Sequence, residues 1–224
     1  MKRSSPEEIL TNKYNHLLIA LILLFILSPS LEVRDQADFP IIPLVGLVVL
    51  VSAVRVSFPQ GTFFRVFLMF AMVSFILNLT IFFLYNSYPG YTNVLTFISN
   101  IISAVYYSVT VYMLTKQLFS VHRVTTDTIK GGVSAYILLG FLWAILYGIL
   151  IQIDPSAFAV SSEQGMMYLH FSFTTLTTLG YGDIVPNGRF AAILTNSEAI
   201  IGQLYLAIFV ARLVGFYIAT EIKQ

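Results

Sequence analysis

Long apolar blocks separated by short polar or Pro/Gly-containing breaks run along the whole chain. The first begins near Leu17 and is short, ending by Ser28-Pro29-Ser30-Leu31. Its leader, Met1 to Lys13, carries Glu7 and Glu8 and no small-residue cleavage site follows, so it reads as the flank of a retained span rather than a signal peptide. After the polar link Glu32 to Asp38, spans are predicted over Pro40 to Val56, Arg65 to Tyr85 and about Asn93 to Leu114. Phe58-Pro59-Gln60-Gly61 and Asn86-Ser87-Tyr88-Pro89-Gly90 are the turns between them. Lys116 to Lys130 carries Lys116, His122, Arg123, Asp127 and Lys130 and reads as an interfacial linker with room for a short helix, and Val133 to Ile151 is a fifth span broken by Asp154-Pro155. Ser161-Ser162-Glu163-Gln164 has the form of a capping box with Ser161 as N-cap, predicting a short helix through about Thr177. Pro186-Asn187-Gly188 then turns the chain into a last long helix, Arg189 to Ala219. The expected fold is an all-α membrane protein of six transmembrane helices, with a re-entrant helix and loop between the last two. The expected divisions are a front domain 1–115, a linker 116–132 and a back domain 133–224.

Composition fixes the solvent. The chain is 57% hydrophobic and 10% charged, too apolar for a soluble domain of 224 residues. A net charge of +1 with no Lys/Arg run gives no reason to expect nucleic acid as a partner. Cysteine is absent, and His16, His122 and His170 are far apart, so no metal centre or other cofactor is expected. No nucleophile–base pairing or phosphate loop points to an enzyme. With a cytoplasmic N-terminus, Lys2, Arg3, Lys13, Arg55, Arg65, Lys116, Arg123, Lys130 and Lys223 all fall on the cytoplasmic side, with Arg212 near it and only Arg34 and Arg189 outside. That asymmetry predicts a multi-pass protein of the cell membrane with both termini inside.

The chemistry sits in one stretch. Thr174-Thr175-Leu176-Thr177-Thr178 runs into Leu179-Gly180-Tyr181-Gly182-Asp183. Gly180 and Gly182 can take positive φ without steric cost, and Tyr181 between them can turn its ring outward as a spacer. A backbone so freed can present carbonyls, ring above ring, in place of an ion's hydration shell. The stretch resembles the T-V-G-Y-G-D signature of the tetrameric potassium channel family, with Leu179 where Val is usual. The resemblance covers roughly Val124 to Ile218. It implies potassium as the permeant ion, held at Thr178, Leu179, Gly180 and Tyr181. One copy per chain implies a homotetramer in contact with membrane lipids. Within channels a nonselective filter, and outside them a non-conducting regulatory subunit, are the competing readings.

The same alignment places Gly202 where the family's inner helix has its hinge glycine, with Gln203, Leu206 and Val210 lining the cavity and inner gate. Close helix packing is the other use for a membrane-helix glycine. His170 stands where many relatives carry a tryptophan that bonds the filter aspartate, which makes Asp183 its expected partner. Thr174 is expected to support the filter or simply to pack. Glu198 is costly at membrane depth unless paired or wet. It lies about 140° around the helix from Gln203, at 3.6 residues per turn, and is expected to brace the short helix through hydrogen bonds, ionised or protonated.

Six spans with the pore last resembles the voltage-gated layout, in which the fourth span carries arginines at every third position. Asn93 to Thr115 contains no Lys or Arg. Each charge crossing 100 mV is worth about 2.3 kcal/mol, so steep voltage gating is not expected.

Overall fold

The computed structural model describes residues 14–27, 46–49, 51–53, 55, 62–84, 89–120, 124–161 and 167–221. Its elements are α1 (Asn15–Leu27), α2 (Thr62–Leu84), α3 (Pro89–Ser120), α4 (Thr126–Ile153), β1 (Phe158–Val160), α5 (Tyr168–Leu176), β2 (Ile184–Pro186) and α6 (Arg189–Glu221). Among the described residues four helices are long and apolar enough to cross a membrane, Phe64–Leu84, Gly90–Ser120, Thr126–Ile153 and Arg189–Phe216. The protein is therefore a mainly helical membrane protein. The first expected span appears as α1, 13 residues, or about 20 Å at 1.5 Å per residue against a hydrocarbon core of about 30 Å. Of the second, Pro40 to Val56, residues 46–49, 51–53 and 55 are helical and the others lie outside the described residues, as do most of the two predicted turns.

Much of the expected linker is helical. Residues 116–120 finish α3 and 126–132 open α4, leaving only a short connection. Thr125 caps α4 in a reciprocal box with Thr128: its hydroxyl accepts from the Thr128 N–H at 3.2 Å, and its own N–H donates to Thr128 Oγ1 at 3.3 Å. This cap lets the helix start seven residues earlier than hydropathy indicates.

α4 is the central element, packed by α1, α3, α5 and α6. Tyr14, Leu17, Leu21 and Leu24 of the α1 segment join Leu114 and Leu118 of α3 and Ala135, Leu138 and Phe141 of α4 in one core. The Tyr14 N–H donates to Asp127 (3.2 Å) and Lys130 Nζ to Asn15 (3.1 Å), pinning the start of α1 to the start of α4. α2 and α3 are joined by polar contacts suited to apolar surroundings: Asn78 donates to Ser99 (3.0 Å), and Ser74 lies 3.4 Å from Ser103. The start of α4, the end of α3 and the Phe209–Phe216 part of α6 meet at one end of the bundle.

At the other end Asp154 stops α4. Its carboxylate accepts the N–H and hydroxyl of Ser156 (3.0 and 2.6 Å), and these bonds hold the carboxyl below its usual range. A two-stranded antiparallel ribbon follows, with Phe158 opposite Pro186 and Val160 opposite Ile184. The expectation of purely helical structure misses this ribbon. It also displaces the predicted cap. Ser161 continues the extended chain, and both its N–H and its hydroxyl donate to the Asp183 carbonyl at 2.9 Å. α5 begins instead at Tyr168, after Met167, with no side-chain cap; Gln164, the other half of the predicted box, lies outside the described residues.

Candidate ion-conduction site

α5 is short, and its last turn organises the loop that follows. The Thr178 N–H donates to the Thr175 carbonyl (2.9 Å), and the Leu179 and Gly180 N–H groups both donate to the Thr174 carbonyl (2.8 and 3.1 Å). Three successive peptide N–H groups thus face the C-terminal end of the helix, satisfying carbonyls that a helix end otherwise leaves unpaired. In a trans peptide the preceding carbonyl points opposite to the N–H. The Thr177, Thr178 and Leu179 carbonyls therefore point away from α5, on a stretch exposed from Thr177 to Gly182.

The backbone angles explain how the chain does this. Gly180 and Gly182 have φ of 52° and 79°, and Thr178 joins them at 59°. Positive φ at every second residue alternates the backbone between the two handed conformations, which gathers successive N–H groups on one side. The two glycines were legible as permissive positions. The left-handed threonine was not, and for an L residue it costs about 1–2 kcal/mol. The Thr178 hydroxyl donates to the Thr177 carbonyl at 2.6 Å.

The outer half of the loop is bracketed by His170. Its imidazole lies flat over Tyr181, with centroids 5.7 Å apart and planes 6° from parallel, and Nε2 is 2.8 Å from the Asp183 carboxylate. Tyr181 is thereby turned towards α5. Asp183 is held at both ends, by His170 at its carboxylate and by Ser161 at its carbonyl. Asn187 adds a bond to the Ala157 carbonyl (2.7 Å), fixing the ribbon that carries the loop back to α6.

Thr174 is buried, and its hydroxyl donates to Phe171 within α5 at 3.0 Å. Its contribution to the loop is its carbonyl, not its side chain. Gly202 is buried where α6 crosses the end of α5: a Cβ there would stand 2.6 Å from the Leu176 carbonyl oxygen and 2.8 Å from Leu176 Cδ1. The lack of a side chain allows this close approach, the packing use of a membrane-helix glycine. α6 is helical without interruption through it. Gln203, Leu206 and Val210 are exposed on the single chain, away from this contact.

Glu198 is enclosed. It accepts the Tyr147 hydroxyl on one oxygen and lies 2.5 Å from Ser172 on the other, so α6 is tied to α4 and α5 together. Glu198 is bonded against the short helix through Ser172; sequence reasoning supplies neither Ser172 nor Tyr147, nor Tyr136, whose hydroxyl donates to the Leu176 carbonyl at 3.1 Å. Hydropathy treats Tyr and Ser in an apolar span as packing. The signal that points to them is the buried acid itself, which requires partners.

Comparison with known proteins finds a match over part of the chain. Residues 133–219 match a family model described as ion channel, an interval running from early α4 through α5 and the loop to near the end of α6. This supports an ion channel that spans the membrane several times. No curated protein matches, and no solved structure matches.

Proposed function

We propose that the chain is the subunit of a potassium-selective channel, with four copies surrounding one axis and potassium crossing passively along it. The turning of the Thr177, Thr178 and Leu179 carbonyls away from α5 carries this reading, because a cation shedding its water needs such a row of oxygens. Irregular backbone is tolerated at membrane depth only where protein or water covers it, and the exposed face of residues 177–182 leaves that cover to partner copies. Leu179 in place of Val contributes the same peptide carbonyl. Gln203, Leu206 and Val210 then face the cavity beneath, and the C-terminal end of α5 turns its negative pole towards the path. Both termini are cytoplasmic in a six-span arrangement in the cell membrane, and gating is not steeply voltage-dependent. Reversal potentials of purified protein in planar bilayers with mixed potassium and sodium test the reading. A reversal near the potassium equilibrium potential is expected; equal permeabilities would make the pore nonselective. Failure to conduct without a second pore chain would make this a regulatory subunit.

A further inference from the structure

Among the described residues Glu198 is the only acidic side chain that is buried, with no exposed surface. The groups facing it are hydroxyl-bearing: Tyr147 and, at longer range, Tyr136 from α4, and Ser172 from α5, with Thr195 of α6 beside the Tyr147 hydroxyl. Among the described residues no Lys, Arg or His is paired with it. An uncompensated carboxylate enclosed in this way is strongly disfavoured.

The oxygen contacts can be counted in protons. Tyr147 has one, and donates it to Glu198 Oε2. Ser172 has one, yet its Oγ stands 2.5 Å from Glu198 Oε1 and 2.8 Å from the Gly140 carbonyl of α4. A carbonyl only accepts, and so does an ionised carboxylate, so with Glu198 charged one of these short contacts is left without a proton. With a proton on Oε1, Glu198 donates to Ser172 and Ser172 to Gly140. Three contacts then hold three protons in a single direction.

We propose that Glu198 is a neutral carboxylic acid and that its proton is the link that holds α5 between α4 and α6. Gly202 abuts the end of α5 about one turn farther along α6, so the two contacts together fix the helix that orients the loop. Glu198 is a positioning residue in this account, a role that rests on the channel reading; the protonation does not.

Infrared spectroscopy of the protein in liposomes tests the proton directly. Wild type is expected to show a protonated-carboxyl C=O stretch near neutral pH that moves on exchange into D2O and is missing from Glu198→Gln. Gln supplies an N–H for Ser172 and an oxygen for Tyr147, so potassium flux should stay within about twofold of wild type. Glu198→Leu removes the acceptor of the Tyr147 hydroxyl and the tie from Ser172 to α6, and a loss of about tenfold is expected, the scale of one lost buried hydrogen-bonding group. Absence of the band from wild type, or a Gln variant as impaired as the Leu variant, overturns the proposal. A protein that shows the band but passes no potassium overturns the channel reading and leaves the protonation standing.

Discussion

Gly202→Ala separates the two uses of that glycine. An ordinary contact begins at 3.4 Å, whereas the new methyl would lie 2.6 Å from the Leu176 oxygen, so α5 and α6 must part by about 0.8 Å at this crossing. The obstructing atom is backbone and cannot rotate away. It also accepts the Tyr136 hydroxyl at 3.1 Å and belongs to the last residue of α5, two before Thr178. Overpacking costs about 1–3 kcal/mol, and contact with a rigid carbonyl belongs to the upper part of that range. Alanine returns about 1 kcal/mol of helix propensity, leaving a net destabilisation of about 1–2 kcal/mol by the difference of the two. Thermal unfolding of the purified protein should show this loss, and reversal potentials should show weakened preference for potassium because the carbonyl row is displaced. A hinge without packing predicts the opposite pair of results, a protein at least as stable as wild type with altered open probability and intact selectivity. That pair would refute the packing account.

His170→Phe keeps a ring over Tyr181 but removes the bond to Asp183; a loss of about 1 kcal/mol in loop stability should appear as faster decline of sustained potassium current. A sustained current that declines no faster than in wild type would dismiss His170 as a support of the loop. Gly182→Ala must place a side chain at φ 79°, at about 1–2 kcal/mol, and should blur potassium–sodium discrimination. Gly188→Ala, at φ 138° beyond the loop, should lower stability and leave discrimination intact, so equal effects on selectivity would count against a special role for Gly182. Voltage steps should change open probability only weakly, and a tenfold rise over a few tens of millivolts would require charge movement through the loop itself.

The two long helices that flank the site, α4 and α6, were readable because their hydropathy is unambiguous and the breaks that face the loop are marked. Asp154-Pro155 stops α4 and Asn187-Gly188 precedes α6, within about two residues of the expected bounds. The start of α5 was misplaced because Ser161-Ser162-Glu163-Gln164 satisfies a local capping pattern while the ribbon, a pairing across 22 residues between Ser161 and Asp183, claims the serine first. Strands of three residues are too short to show alternation. The partner of His170 was legible from the resemblance, whereas the stack on Tyr181 and the left-handed Thr178 depend on the folded path of the loop. The packing of α1 was hidden for a different reason. Leu17, Leu21 and Leu24 are buried while Ile19, Ile22 and Leu23 are exposed, yet all six are aliphatic. In a bilayer both faces of such a helix can be apolar, so composition does not separate protein contact from lipid contact.

That hidden packing bears on how the front half meets the site, its fourth span carrying no Lys or Arg. α1 starts beside Asp127 and reaches Phe25, whose ring meets Phe173 of α5 edge-on at 4.8 Å. Phe173 also meets Phe141 of α4 at 6.2 Å. The 14 residues of α4 from Asp127 to Phe141 rise about 21 Å, matching the about 20 Å of α1, so the two helices run alongside each other over one length. α1 therefore touches α5 directly, through aromatic contact. The opposite attachment of α5, through Ser172 to Glu198 and through Leu176 to Gly202, lies on α6. On the proposed reading α5 is the helix beneath the carbonyl row that both α1 and α6 contact.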